Sequence, residues 1–236
     1  MSKALVIQHV KSEGLGIIST GLANAGLGAD FVRIYNNEPI PLRINGYKAL
    51  IALGGPMGVY EQDRHPFIAK ELALIRSALG QRVAVLGVCL GSQMLAAAAG
   101  ASVYKGGAKE IGWYGINLTN AGKGDPLFRG MPEAEVVFQW HGDTFDVPKG
   151  AQNLASSPLF QNQLIKVGPN AYGVQFHLEV TEPMIKDWLA INSAEIASLK
   201  GAVDPARVLK ETPENINDLH RLGDAVIKRF LRIALQ

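Results

Sequence analysis

Short apolar runs alternate with amphipathic segments along the first part of the chain. The runs, each bounded by glycine, proline or polar residues, predict buried strands over residues 4–7, 31–35, 47–53 and 83–88. Apolar residues at helical spacing predict helices over residues 17–25 and 67–79, and a further helix that begins directly after Cys89. Strands that are apolar almost throughout are typical of a parallel sheet with helices on both faces. We therefore predict an α/β fold of three layers around a mostly parallel sheet.

The pattern changes after Gly100. Short strands at 103–104, 111–118 and 136–140, separated by turn residues, predict a small antiparallel extension, and residues 166–169 are interpreted as a turn before a last strand at 171–176. The chain is predicted to be helical from Glu182 onward, with an amphipathic final helix over 219–235. No repeat or linker interrupts the sequence, so we expect one domain over residues 1–236 with a C-terminal helical extension at 182–236.

Cys89 lies where an apolar strand changes abruptly into an alanine-rich helix. Gly87 and Gly91 flank it, which is the pattern of a nucleophile elbow, where a tight turn presents a side chain above the sheet. The positive end of the helix macrodipole favours a thiolate at such a position, so we expect a lowered pKa for this thiol. A lone cysteine after a strand is otherwise a small buried hydrophobe, and that interpretation stays open until a base is found.

His177 is the best candidate for that base among the five histidines. It closes the strand at 171–176, and Glu179 follows two residues later, on the same side of an extended chain. A carboxylate in that place can fix the tautomer of the imidazole and stabilise the imidazolium. His9 and His65 are interpreted as turn residues, and His141 fits a pocket wall or a plain loop equally well.

Composition excludes several other classes of function. The 236 residues carry a net charge of +2 with no basic cluster, which argues against nucleic acid and anionic membranes as partners. A single cysteine excludes a disulfide framework and a cysteine-based zinc site, and no ligand-spaced cluster predicts a metal. No apolar stretch approaches the length of a membrane span, and the apolar run near the N-terminus has only four residues, too few for a signal peptide, so we expect a cytoplasmic protein.

Three segments resemble the motifs of the class I (triad-type) glutamine amidotransferases. They are Gly-Gly-Pro at 54–56, Gly-Val-Cys-Leu-Gly-Ser-Gln at 87–93 and Gln-Phe-His-Leu-Glu at 175–179. Their order and spacing match those of the family, and the resemblance covers roughly residues 1–180. The segment His-Gly-Asp at 141–143 also resembles the GMP-synthase-like branch. The resemblance implies a flavodoxin-like sheet and no cofactor.

The resemblance also implies a mechanism. The Cys89 thiolate would attack the γ-amide carbonyl of glutamine, with His177 as acid and base and Glu179 as its orienting carboxylate. Backbone N–H groups of Gly55 and Leu90 would hold the oxyanion. Further contacts to the substrate are expected from Gln93, Trp140, His141 and Gly142.

Three functions remain open from the sequence. Only 57 residues follow Glu179 (236 − 179), too few for a nucleotide-activating domain, so an amidotransferase of this kind would supply ammonia to a separate synthase subunit. A stand-alone γ-glutamyl peptidase would use the same three side chains on glutathione-like peptides. A catalytically silent regulatory module is the third alternative, against which the intact cysteine, histidine and glutamate argue. The sequence does not predict the oligomeric state.

Overall fold

A nine-stranded mixed sheet forms the centre of the molecule in the computed structural model, which describes residues 2–236. The strands are β1 (Lys3–Gln8), β2 (Gly28–Arg33), β3 (Ala49–Ala52), β4 (Ala84–Val88), β5 (Val103–Leu118), β6 (Ala134–Phe145), β7 (Gln152–Ser156), β8 (Leu164–Val167) and β9 (Ala171–Val174). The helices are α1 (Ile18–Asn24), α2 (Phe67–Gln81), α3 (Leu90–Ala98), α4 (Asn120–Gly124), α5 (Glu182–Ile191), α6 (Ser193–Ser198) and α7 (Pro205–Ala234), with a 3-10 turn at Ile34–Asn36. The strand order is β2-β1-β3-β4-β9-β8-β7-β5-β6.

The first five strands in that order are parallel and carry helices on both faces. Successive residues of β1 show this: Ala4 and Val6 pack in the core beneath α1 and α7, whereas Leu5 and Ile7 pack in the core beneath α2 and α3. Because both faces are covered, these strands are apolar throughout. The predicted three-layer α/β architecture is confirmed.

The antiparallel part of the sheet is larger than the sequence indicated and supplies four of the nine strands. β5 is one long strand, so the prediction of separate strands at 103–104 and 111–118 is wrong; a shift of register between Lys105 and Glu110 carries the chain through its glycines while it stays paired with β6. β7 and β8 were not predicted. Residues 166–167 end β8, and the turn begins only at Gly168.

The helix at the C-terminus begins well before residue 219, where the amphipathic pattern placed its start. Asp204 caps α7 by accepting a hydrogen bond from the N–H of Ala206 at 2.9 Å, and the helix then runs past Pro213. Its first half is polar, which is why the sequence pattern concealed it. α7 packs against α1 and β6 on the face of the sheet opposite α2. Among residues 2–236, no helix is long and apolar enough to span a membrane.

Candidate active site

The loops at the carboxyl ends of β1, β3, β4 and β9 surround a cavity of about 490 Å³. This is the edge of a parallel sheet where ligands bind in open α/β folds. Cys89, His177, Gly55 and Gln93 all line it, and the β5–β6 hairpin closes one side with Trp140, His141 and Gly142.

Cys89 occupies a turn that the two neighbouring glycines make possible. Its backbone is left-handed, with φ 49° and ψ −105°, an uncommon conformation for a residue with a side chain. A Cβ on Gly91 would stand 2.0 Å from the carbonyl oxygen of Ala52 in β3, and one on Gly87 would stand 2.3 Å from the carbonyl oxygen of Gly91. The Cys89 N–H donates to the carbonyl oxygen of Val174 in β9 at 2.8 Å, which fixes the turn against the sheet.

His177 and Glu179 form a buried pair beside the thiol. Nδ1 of His177 donates to Oε1 of Glu179 at 2.8 Å, and both side chains are nearly inaccessible to solvent. The backbone N–H of His177 donates to the carbonyl oxygen of Phe138 at 2.8 Å, and Trp188 packs edge-on to the ring at 4.7 Å between centroids. With Nδ1 committed to Glu179, Nε2 is the nitrogen left for chemistry at the thiol.

The charges of the site are strongly coupled. Burial lowers the pKa of His177, but the charges of Glu179 and of the Cys89 thiolate outweigh it and hold that pKa well above its ordinary value. Burial raises the pKa of Cys89, and the neighbouring His177 opposes this only in part. Burial therefore acts against the lowering of the thiol pKa that the helix N-terminus was expected to produce. A thiolate here depends on the imidazolium beside it.

Gly55 and Leu90 are the two residues predicted to supply the backbone donors of an oxyanion hole, and Gly55 lines the cavity. Gly55 packs closely enough that a Cβ would stand 2.9 Å from Cβ of His9 and 3.0 Å from Cδ2 of Leu90. Within residues 2–236, neither the Gly55 N–H nor the Leu90 N–H donates a hydrogen bond to another group of the protein. Both can therefore serve a ligand oxygen.

Two of the predicted substrate contacts, Gln93 and His141, line the cavity, and hydrogen bonds within the protein fix the positions of their side chains. Gln93 donates through its amide to Oε1 of Gln175 at 3.2 Å, and Gln175 lies 3.6 Å from the thiol sulfur. His141 is held between the carboxylate of Glu110 at 3.1 Å and the carbonyl oxygen of Asp143 at 3.0 Å. Of its two interpretations, the structure places His141 in the cavity wall.

Sequence reasoning missed two acidic side chains, Glu13 and Glu71. Glu13, in the loop after β1, lines the cavity beside Gly54 and His177, and burial raises its pKa. Its place after a buried parallel strand was the signal that could have identified it. Glu71 on α2 pairs with His9, which lies in the loop after β1 as predicted but is buried there. Among the described residues, no cluster of side chains could hold a metal ion.

Comparison with known proteins assigns the family. Residues 16–190 match the sequence profile of the glutamine amidotransferase class-I family, most of the chain. The chain belongs to the class I glutamine amidotransferase family. A solved glutamine amidotransferase from Thermotoga maritima is 33% identical and superimposes with a TM-score of 0.87, covering 100% of this chain and 99% of that one. A glutamine amidotransferase from Methylobacillus flagellatus is 29% identical with a TM-score of 0.88, covering 99% and 95%. These likenesses confirm the flavodoxin-like fold of the family.

Some curated relatives of this amidotransferase match over most of their own length, and others over only part of it. The putative glutamine amidotransferase-like protein YfeJ of Salmonella typhimurium is 30% identical over 83% of this chain and 83% of its own. A GMP synthase (glutamine-hydrolyzing) of Porphyromonas gingivalis is 28% identical over 82% of this chain but only 37% of its own. The chain thus corresponds to little more than a third of that synthase.

Proposed function

We propose that the protein hydrolyses the γ-amide of glutamine by covalent catalysis and supplies the ammonia to a separate synthase. The observation that carries the proposal is the juxtaposition of the sole cysteine, on a left-handed elbow, with the buried His177–Glu179 pair at the cavity floor. Membership of the family supports glutamine as the amide donor.

The first half of the reaction transfers an acyl group to sulfur. The Cys89 thiol passes its proton to Nε2 of His177, and the thiolate attacks the γ-carbonyl carbon. The N–H groups of Gly55 and Leu90 stabilise the tetrahedral oxyanion. Collapse breaks the C–N bond, His177 donates its proton to the leaving nitrogen, and ammonia departs from a γ-glutamyl thioester.

The second half restores the enzyme. His177, now neutral, takes a proton from water, which attacks the thioester carbonyl, and the thiolate leaves as glutamate forms. Glu179 holds the ring in the Nδ1–H tautomer throughout and stabilises the imidazolium of both transition states. Gln93 and the wall formed by Trp140, His141 and Gly142 are the proposed contacts to the rest of the substrate.

A γ-glutamyl peptide is the second candidate substrate, and the cavity is the observation that favours it. Its volume of about 490 Å³ exceeds what free glutamine needs, and its lining carries Lys105, Lys109 and Glu195 beyond the thiol. Lys109 and Glu195 form an ion pair with each other, and a peptide leaving group, with an amine and a carboxylate, offers each of them a partner of opposite charge. The chemistry is unchanged except that an amino acid or peptide leaves in place of ammonia.

The test is a product assay on the purified protein. The protein would be incubated separately with glutamine and with glutathione, and ammonia, glutamate and cysteinylglycine would be measured, with Cys89→Ala as the control. Ammonia from glutamine that is absent with Cys89→Ala supports the amidase. Cysteinylglycine from glutathione, with glutamine untouched, supports the peptidase.

A γ-glutamyl electrophile followed by intact-mass analysis provides a second test. The proposal expects one adduct per chain, at Cys89, and none in Cys89→Ala. Absence of both product and adduct would overturn the enzymatic proposal and favour a silent regulatory module.

A further inference from the structure

His9 and Glu71 form a second buried pair, directly beneath the Gly54–Gly55 peptide. Nε2 of His9 lies 2.8 Å from Oε2 of Glu71, and Nδ1 lies 3.0 Å from the carbonyl oxygen of Gly54. Both side chains are completely excluded from solvent. The pair connects the end of β1 to α2, and it takes no part in the reaction proposed above.

The hydrogen bonds of the pair require two protons. Both ring nitrogens of His9 face an oxygen, but a neutral imidazole carries only one N–H. The pair therefore holds either an imidazolium and a carboxylate or an imidazole and a carboxylic acid, and it is neutral overall in both cases. Burial lowers the pKa of His9, but the charge of Glu71 and the hydrogen bonds outweigh this and raise it. Glu71 and the more distant Glu13 are the charged groups that raise it.

The contact with Gly54 determines where the Gly55 N–H points. The Gly54 carbonyl and the Gly55 N–H belong to one peptide unit, which is trans like the others that the structure describes. In a planar trans peptide these two groups point in opposite directions. With the carbonyl directed at His9, the N–H is directed away from it, and Gly55 lines the cavity next to Cys89.

This peptide would otherwise be free to rotate. It is flanked by two glycines, so no Cβ hinders a flip that would exchange the carbonyl and the N–H. A flipped peptide would present a carbonyl oxygen to the cavity, where it would repel the oxyanion. Some group must hold the orientation, and the Nδ1–H of His9 is the donor that contacts that carbonyl.

We propose that the protonated His9–Glu71 pair is a positioning device for the oxyanion hole, which holds the Gly54 carbonyl and thereby aims the Gly55 N–H at the reacting carbonyl oxygen. The proposal rests on the function proposed above, since it assumes an acyl-transfer step at Cys89. His9 acts through the backbone and does not touch the substrate.

Two substitutions at residue 9 separate the two contacts of the ring. His9→Asn places an amide donor near the position of Nδ1, towards Gly54, but is too short for Glu71. His9→Gln reaches towards Glu71 but leaves the Gly54 carbonyl without a donor. Each of the two substitutions would be combined with Glu71→Gln in a double variant, so that no buried carboxylate loses its partner. His65→Gln, in the loop before α2, is the matched control.

The expected result is a difference in kcat between the two variants. His9→Gln should lower kcat about 10²–10³-fold, the usual effect of losing one oxyanion donor, whereas His9→Asn should stay within about tenfold of the wild type. KM and the rate of Cys89 alkylation by iodoacetamide, which needs no oxyanion hole, should change less than about threefold in both. Equal losses in kcat for the two variants, or a parallel loss of alkylation, would overturn the proposal.

Nitrogen-15 NMR of the histidine rings tests the device without turnover. The wild type at neutral pH should show a proton on Nδ1 of His9, assigned by its disappearance in His9→Asn. An unprotonated Nδ1 would overturn the positioning role even in an active enzyme. If the wild type neither turns over a γ-glutamyl substrate nor accepts the electrophile, the proposed function has failed, and the NMR result still decides whether the peptide is held.

Discussion

Glu179→Gln is the substitution that most directly tests the role of the buried His177–Glu179 pair. The change keeps the size of the side chain and leaves an amide oxygen that can accept the Nδ1–H of His177, now bonded to Glu179 at 2.8 Å. What it removes is the negative charge. Since that charge is the main group that raises the pKa of His177 against burial, the imidazolium loses its stabilisation in both transition states.

The size of the effect follows from the distance. Opposite charges about 4 Å apart interact by about 4 kcal/mol at the effective dielectric constant that suits protein sites. Each ~1.4 kcal/mol is a factor of ten in rate, so kcat should fall about 10³-fold.

The pKa of His177 should also fall. In the wild type, protonation of His177 stabilises the fold at pH below the ordinary value of its pKa, and this is lost as pH rises through the raised value. The variant should show less of that pH dependence.

The assay is kcat on whichever γ-glutamyl substrate proves active, together with thermal unfolding at several pH values. Glu182→Gln is the matched control, because that carboxylate lies at the start of α5 and forms an exposed ion pair with Lys186. Among residues 2–236, Oε2 of Glu179 has no hydrogen-bond partner, so the NH2 group of the new amide would place two unpaired donors there, at a cost of roughly 1–3 kcal/mol in folding. A folded Glu179→Gln protein whose kcat is within tenfold of the wild type would refute the assignment of Glu179 to His177.

Three further predictions concern the elbow, the cavity and metals. Gly91→Ala should destabilise the protein strongly or prevent folding, because its Cβ would stand 2.0 Å from the backbone oxygen of Ala52; a thermal midpoint close to that of the wild type would contradict this. Glu13→Gln should accelerate alkylation of Cys89 at pH below the pKa of the thiol, because the charge of Glu13 raises that pKa; an unchanged pH–rate profile would show that the two groups do not interact. Dialysis against EDTA should leave turnover unchanged, since none of the clusters among residues 2–236 suits a metal; a loss restored by a divalent cation would disprove it.

The parallel half of the fold was predictable because its strands are buried on both faces. A strand such as β4, Ala84–Val88, must be apolar throughout, and that run is visible in the sequence. The strands β7 and β8 are short and partly exposed, so their composition does not separate them from loops. The polar middle of β5 is a strand only because β6 supplies its partners, which are distant in sequence. Pairing of that kind cannot be inferred from a local pattern.

The same distinction applies to the site. Cys89 with its glycines, and His177 with Glu179, are contacts between near neighbours in sequence, so spacing alone predicted them. His9 and Glu71 are separated by 62 positions and meet only because β1 and α2 lie side by side. The burial that raises the pKa of the Cys89 thiol was not visible in the sequence for a related reason: the helix dipole is a local property, whereas burial is set by the whole fold.

Within residues 2–236, three buried histidine–glutamate pairs include or contact residues of the cavity loops, and their contacts separate their roles. His177–Glu179 lies beside the thiol, His9–Glu71 contacts the Gly54 carbonyl, and His141–Glu110 belongs to the β5–β6 hairpin, where His141 lines the cavity. A buried ion pair contributes little net stability, because the cost of desolvating two charges offsets their attraction. Such a pair does fix the direction of an imidazole ring, and the chemistry proposed here needs fixed directions at the proton carrier and at the oxyanion donor. The glycines of the elbow and of the Gly54–Gly55 loop make the close approach possible, and they also leave those backbones free to turn. We expect the histidine–glutamate pairs beside these glycines to restrict that backbone rotation.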